Sequence, residues 1–487
     1  MYSSVLVANR GEIALRVIST LQDHGIEAVV TASDLDINSL PARRADKVLH
    51  LKGVTAQDTY LNIEKIINGA KDIGVNALHP GYGFLAENPI FAKEVIKNQI
   101  DFIGPTPDQM LTFGDKIQAR KVAINSDTPI VPGSDEKLDD DEFAAIAKEI
   151  GFPLLIKASA GGGGRGIRFV QNIKQLKTEL AMAKSEAKLA FNDDRVYLEK
   201  FIANGRHIEV QILGIDSDKI LHFGERDCSM QRKNQKIIEE SPAPSISRKR
   251  AKKMHDDAIN LVKEMKYLNA GTVEFLVDKT DHYFLEVNAR IQVEHPVTEF
   301  VTGEDLIWRQ IQVASGEPLD LNQKDIKTRG HSIEARVYAE NPYENFSPST
   351  GKINRIRHPV GPGIRIDSAV EDGDVISPYY DPMISKLIVY SPNRKAAIRK
   401  LISTLDNYLI TGIHTTVPYI RNLLLEKEFT NLEYHTRYLD EYEQKIPEQV
   451  LKFARVAAIS ILKGSKNIAK QNQPTFSNWR RSGFDSR

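Results

Sequence analysis

The stretch His282-Tyr-Phe-Leu-Glu-Val-Asn-Ala-Arg-Ile-Gln-Val-Glu294 decides how this chain is read. With a period of two, Glu286, Asn288, Arg290, Gln292 and Glu294 share one face, and Leu285, Val287, Ala289, Ile291 and Val293 share the other. An extended segment with one apolar side and one side of functional groups is expected. A second alternating run at 271–277 precedes it, and the turn-like DKTD at 278–281 predicts a hairpin. A short loop sets Glu274 opposite Glu286, with Cβ atoms roughly 5 Å apart, where like charges repel. A cation between them removes that cost. Two carboxylates and the Asn288 amide oxygen are the hard oxygen ligands that Mg²⁺ takes beside phosphates. The competing reading is a solvated sheet face laced with salt bridges, and the hairpin alone does not choose between the two.

The chain of 487 residues is too long for one ordinary core, so several domains are expected. Its 65 basic and 65 acidic residues balance to zero net charge, which gives no global field for nucleic acid or an anionic membrane. A single cysteine, Cys228, excludes a disulfide framework and reads as a small packed residue. With no long apolar run and no signal-like start, the expectation is a soluble cytoplasmic protein, with the mitochondrial matrix as the alternative.

At the start, residues 5–7 read as a buried strand turning into a helix that carries Ile13, Val17, Ile18 and Leu21 inward, followed by a strand at 28–31. This rhythm predicts a parallel sheet, although the G-x-G-x-x-G fingerprint of dinucleotide binding is missing. The run HPGYGF at 79–84 lies between a strand-like ALH and a helix-like FLAEN, a loop that can place Tyr82 in a crevice. A helix from about Asp115 holds Lys116. A strand ending at Lys157 leads into ASAGGGGRG at 158–166 and then another strand. Glycines bring backbone N–H groups close to phosphate, and the absence of G-K-[ST] makes this a flexible lid and not a Walker loop. Strands are expected at 196–202, 206–211 and 331–340, with a highly charged loop at 225–236 between sheet strands.

Three runs, ANRGEIA at 8–14, HPGYGF at 79–84 and EVNARIQVEHP at 286–296, stand in the order found in the biotin carboxylases of the ATP-grasp family. The chain resembles that family from residue 1 to about 439. The resemblance implies an α/β chain with an N-terminal Rossmann-like domain at 1–113, an ATP-grasp domain at 114–325 with a lid at about 131–203 and a C-terminal mixed α/β domain at 330–440, and the residues beyond it read as a helix and basic-aromatic tail at 441–487. It implies that ATP and bicarbonate form carboxyphosphate, whose breakdown carboxylates biotin. Lys116 and Lys157 resemble the phosphate lysines, and Gly161, Gly162, Gly163, Gly164, Arg165 and Gly166 the lid over the triphosphate. Glu199, Lys200, Ile202 and Leu276 fall at the adenine site, and His207 and Gln231 at the ribose. Glu274, Glu286 and Asn288 would hold two Mg²⁺ or Mn²⁺ ions, while Lys236 and Arg290 would hold bicarbonate. Glu294 is similar to the general base and Arg336 to the group that steadies the biotin enolate; Tyr82, Gln292 and Val293 complete the ligand-binding set.

Asn234 departs from the family, in which many members carry histidine beside the nucleotide. No Ala-Met-Lys-Met biotinylation site and no carboxyltransferase-like region occurs. The expected partners are therefore a separate biotin carboxyl carrier protein and a carboxyltransferase subunit, in a homodimer or larger hetero-oligomer, with no nucleic acid or membrane. The runs at 365–373 and 381–386 resemble the acyl-CoA and pyruvate carboxylase branches more than the stand-alone acetyl-CoA type. A different ATP-grasp ligase would share the metal set, and only Glu294, Arg336 and the 79–84 loop speak against it. A silent nucleotide-binding scaffold would not need an intact base, metal set and lysines. From 447 to 464 the apolar positions Leu451, Ala454, Ala458, Ile461 and Leu462 predict a helix, and Phe476, Trp479 and Phe484 among arginines predict a partner-binding tail at 465–487.

Overall fold

The strands Ser4–Val7, Glu27–Ala32, Lys47–His50, Ala77–His79 and Asp101–Phe102 form one parallel sheet in which the first strand lies between the second and the fourth. In this computed structural model residues 1–134, 138–159 and 167–442 are described. Winding reverses at the first strand, so the loops leaving Val7 and His79 part and open a crevice at the carboxyl ends of the strands. Asn9 ties the two loops together, its Nδ2 donating to the carbonyls of Pro80 at 2.7 Å and Tyr82 at 2.8 Å. The helix Gly11–Asp23 buries Ile13, Val17, Ile18 and Leu21 against the sheet, as its periodicity predicts.

A small antiparallel sheet of Ile167–Val170, Leu154–Ala158 and Val196–Lys200 packs under the helices Asp140–Ile150 and Ile173–Phe191, with Phe143, Leu154, Ile156, Leu180 and Leu198 at its centre. The largest element is an eight-stranded antiparallel sheet, ordered His282–Asn288, Asn269–Val277, Arg206–Gly214, Ile220–Arg232, Gln235–Ser241, His331–Tyr338, Met383–Ser391 and Ile364–Ser368. Its strands come from both sides of residue 330. The strand Gln235–Ser241 would otherwise expose an unpaired edge, and His331–Tyr338 covers it.

Three expectations are corrected. Residues 84–87 form turns and not a helix; the helix is Pro89–Lys97, started by Asn88, whose side chain accepts from Phe91 N, with proline at the first turn. The charged loop at 225–236 is a hairpin, with Arg232 opposite Gln235 and a two-residue turn at Lys233 and Asn234. Both turn residues have positive φ, 49° and 65°, the geometry that matches the twist of flanking strands. The charges there sit on paired strands, and neighbouring strands cover them. Finally, the extended run of 282–294 ends at Asn288, and residues 289–294 turn into the helix His295–Thr302. Proline at 296 suits a first helical turn, which alternation cannot reveal.

No helix among the described residues is long and apolar enough to cross a membrane. Gly161, Gly162, Gly163, Gly164, Arg165 and Gly166, and the expected helix and tail from 447 onward, lie outside the described residues.

Candidate active site

Glu274 pairs with Glu286 and Thr272 with Asn288, but the turn length alone does not give this register: Phe275 pairs with Phe284, and a one-residue bulge at Leu285 brings Glu286 opposite Glu274. On the other side of Glu274 stands Glu209. The backbone therefore presents a row of three carboxylates across adjacent strands, a repulsive arrangement unless cations answer it. Lys236 answers much of it, its Nζ lying 2.6 Å from Glu209, 2.9 Å from Glu274 and 2.6 Å from Glu294. Burial alone would lower the ammonium pKa, but these three carboxylates hold it well above the ordinary lysine value. Glu274 is buried too, which by itself raises its pKa, yet His207 at 3.0 Å and Lys236 hold it well below the carboxylate range.

Glu286 is different. Burial and the charge of Glu274 push its pKa up, and its nearest cation, Lys116 Nζ, is 3.9 Å away. A carboxylate raised by its opposed neighbour and weakly paired is a donor suited to a divalent cation. The residues thus fit such an ion: Glu274, Glu286 and the Asn288 amide, which donates to Glu274 at 2.8 Å and accepts from Arg290 at 3.0 Å.

Lys116 begins the helix Lys116–Asn125, and its backbone N–H donates to the Ser159 carbonyl, which ties the helix start to the end of the lysine strand. Lys157 Nζ donates to Glu199, and Arg120 lies 3.7 Å from the same carboxylate. Gly133 bridges to Glu199, and a Cβ there would collide with the Leu198 carbonyl, so only glycine permits this approach. Lys200 does not point a free charge outward: its Nζ donates to the carbonyls of Gly151 at 2.9 Å and Phe152 at 3.3 Å. Ile202 and Leu276 are half-buried. His207 and Leu276 stand opposite each other, and Gln231 Nε2 lies 2.9 Å from His207 Nδ1.

Although residues 289–294 leave the strand, their side chains still converge. Arg290 Nη1 donates to Gln292 Oε1 at 2.8 Å, and Gln292 Nε2 donates to Glu274 at 3.0 Å. Arg290 Nε lies 3.0 Å from Glu87, in the turn after the 79–84 loop. Glu294 is fully buried and is held well below its ordinary pKa, burial being outweighed by Lys236, Arg336 and Arg226. Arg336 Nη2 donates to Glu294 at 2.9 Å and its Nε to Glu239 at 2.5 Å. Tyr82, Arg290, Val293, Arg336 and Tyr338 line a cavity of about 500 Å³ that opens into the N-terminal crevice. Tyr82 donates its phenolic hydrogen to Glu12.

Three family descriptions match in succession: the biotin carboxylase N-terminal domain over residues 1–110, the carbamoyl-phosphate synthase L chain ATP-binding domain over 115–322 and the biotin carboxylase C-terminal domain over 334–441. Biotin carboxylase 1 of Bacillus subtilis is 44% identical over 446 residues, 91% of this chain and 99% of that one. The chain belongs to the biotin carboxylases. One of the pyruvate carboxylase subunits of Methanothermobacter thermautotrophicus is 43% identical over 477 residues, 98% of this chain and 96% of that protein. Among solved structures, a biotin carboxylase from Campylobacter jejuni in complex with β-γ-ATP superposes with a TM-score of 0.88 at 43% identity, covering 91% of this chain and 99% of that one. The biotin carboxylase domain dimer of Hydrogenobacter thermophilus 2-oxoglutarate carboxylase, with MgADP, ADP and bicarbonate, gives 0.87 at 43% identity, covering 91% and 100%.

This biotin carboxylase has the ATP-grasp fold, with a parallel-sheet N-terminal domain, an ATP-binding central domain and a C-terminal domain. Its activity is the biotin carboxylase half-reaction of the biotin-dependent carboxylases, an ATP-dependent ligation. The sequence reading of the biotin carboxylase site overlooked Glu209, Arg226, Glu239 and Glu87. Glu209 follows His207 at strand spacing, so the same alternation could have found it. Arg226, which is fully buried and donates to Glu209, Gln211 and Thr298, carries no local signal of burial. Glu239 was hidden because it follows a run of charges that reads as a loop.

Proposed function

We propose that the cluster around Lys236 carries out the attack of bicarbonate on ATP and the transfer of carboxylate to biotin brought by a carrier chain. The observation that carries this reading is the meeting of one ammonium with three carboxylates from three separate elements, Glu209, Glu274 and Glu294. Lys116, Lys157 and the glycine loop hold the triphosphate, Glu199, Lys200, Ile202 and Leu276 the adenine, and His207 and Gln231 the ribose. Glu274, Glu286 and Asn288 would hold two Mg²⁺ ions, which would supply positive charge to offset that of the phosphate oxygens.

Bicarbonate is a poor nucleophile, so it needs a base and cations together. Lys236 and Arg290 hold the anion, Arg290 braced by Gln292 and with Val293 lining the same cavity. Glu294 takes its proton, and the cations that keep Glu294 ionised at rest turn to the substrate as it enters. Arg336 steadies the biotin enolate, and Tyr82 forms the wall of the biotin cavity. The N-terminal division at 1–113, the ATP-binding region at 114–325 and the C-terminal region at 330–440 supply these groups jointly. The proposed partners are a separate biotin carrier, a second copy of this chain in a homodimer, and a carboxyltransferase subunit. The Methanothermobacter relative, named as one part of a pyruvate carboxylase, and the dimer of the Hydrogenobacter domain support that reading. Phosphate release from ATP, with free biotin as acceptor, is expected to require both bicarbonate and Mg²⁺. Equal rates without either would overturn the proposal.

A further inference from the structure

Behind Arg336 lies a pair of acids that the proposed chemistry does not use. Glu239 on Gln235–Ser241 stands directly opposite Glu334 on His331–Tyr338. Both are fully buried. Opposed residues of an antiparallel pair put their side chains on one face of the sheet at close range. Glu239 Oε1 accepts from Arg336 Nε at 2.5 Å. Its Oε2 and both carboxyl oxygens of Glu334 find no hydrogen-bond partner among the described residues. Buried polar atoms are rarely left so.

The nearby cations are already committed. From strand Met383–Ser391, Lys386 Nζ sits 3.1 Å from Glu12 and donates to the Val293 carbonyl at 3.0 Å. From Gln235–Ser241, Lys236 serves Glu209, Glu274 and Glu294. Arg336, on the strand of Glu334 itself, serves Glu239 and Glu294. The remaining titratable neighbours are the Cys228 thiol of Ile220–Arg232, pushed up by burial, Tyr338, pushed up by burial, and His295 of the helix His295–Thr302, kept neutral by burial. The helix Arg394–Asp406 sends Arg394 to Glu240, not to this pair. Two adjacent buried carboxylates whose nearby cations, Arg336 and Lys386, are shared with Glu294, Glu12 and Asp367 do not both ionise.

We propose that Glu239 and Glu334 share one proton, Glu334 as the acid and Glu239 as the carboxylate, and that this pair is the positioning element that aims Arg336. One O–H from Glu334 to the free oxygen of Glu239 satisfies two of the three orphaned atoms at once. Burial raises the pKa of Glu239, and raises that of Glu334 well above the carboxylate range, which agrees with an acid held in the pair. The guanidinium is then gripped at Nε by Glu239 and at one terminal nitrogen by Glu294, with its remaining edge toward the cavity. A second charge on the pair would draw the guanidinium inward, and loss of the first would release Nε. Only the one-proton state aims it.

This inference rests on the proposed role of Arg336 at biotin. The full chain is assayed for ATP-dependent carboxylation of free biotin across pH, as wild type, Glu334→Gln, Glu239→Gln and Arg336→Lys. The wild type is expected to give a bell-shaped profile set by the pair. Glu334→Gln keeps a donor to Glu239 but cannot ionise, so its alkaline limb disappears, with turnover at the optimum falling no more than about threefold. Glu239→Gln removes the anchor, so turnover with biotin falls about tenfold or more. An alkaline limb retained in Glu334→Gln, or wild-type turnover in Glu239→Gln, overturns the pairing. Infrared difference spectra of wild type against Glu334→Gln report the protonated carboxyl stretch directly, even where turnover is lost, and its absence also overturns it. If Arg336→Lys carboxylates biotin normally, the role of Arg336 itself fails; if Arg336→Lys is inactive while both glutamine variants match wild type, only the pairing fails.

Discussion

Lys236 can hold three carboxylates only because burial and charge oppose each other at one atom. Desolvation favours a neutral amine, while Glu209, Glu274 and Glu294 together keep the ammonium charged. The same contact keeps Glu294 ionised, the form in which a carboxylate can accept a proton. Glu294→Gln preserves the shape and removes the proton acceptor. Bicarbonate-dependent phosphate release is expected to fall by roughly 10²- to 10⁴-fold, with nucleotide affinity nearly unchanged, measured by steady-state kinetics beside nucleotide titration. Unchanged release would remove Glu294 from the chemistry. At this scale strand spacing picked out Glu274, Glu286 and Glu294, and the resemblance to the family picked out Lys236 from a run read as a charged loop. Neither named Arg226 or Glu239, whose role comes from which strand lies alongside.

At the scale of elements, two hairpins bring the site together. One sets Glu274 against Glu286; the other, Ile220–Arg232 with Gln235–Ser241, sets Lys236 opposite Gln231. A slip of one residue in the second would turn Lys236 to the opposite face. Its register depends on a two-residue turn in which Asn234 has φ of 65°. Asparagine tolerates that region and a β-branched residue does not. Asn234→Gly is therefore expected to keep wild-type stability. Asn234→Val is expected to cost about 1–2 kcal/mol and to lower turnover, read by urea unfolding and by the biotin carboxylation assay. Equal stability of the two variants would show that the turn does not hold the register. The first hairpin was legible from its alternation and its turn, but the bulge at Leu285 that sets Glu274 against Glu286 was not, because a one-residue insertion leaves no mark in the periodicity. The second hairpin was not legible, because a run of charges reads as solvated until the covering strands are known.

For the whole molecule, the eight-stranded sheet joins strands from before and after residue 330, and Glu240 is one of its fastenings. Its carboxylate receives Arg394 at 2.7 Å and 2.9 Å, His331 at 2.8 Å and Tyr434 at 3.1 Å. Burial would raise its pKa, but His331 and Arg394 bring it down to about 2. A depressed carboxylate contributes stability that is complete above its unfolded value, about 4.3, and is lost as pH falls through about 2. Arg394→Ala breaks this buried pair and is expected to cost roughly 3 kcal/mol at neutral pH and to move acid unfolding to higher pH. Circular dichroism during acid titration and urea unfolding would check both, and an unmoved acid transition would remove Glu240 from the account. The sequence by itself determined the parallel N-terminal sheet and the hairpin of 271–277 with 282–288, because periodicity and turn residues are local properties of the chain, while the roles proposed for its side chains came from the resemblance to the family. Only the tertiary structure decided that residues 289–294 leave the strand and still converge, that Glu239 faces Glu334, and that one ammonium serves three carboxylates. Those outcomes depend on strand order and burial, which bring together residues up to about two hundred positions apart and set the dielectric in which their charges meet.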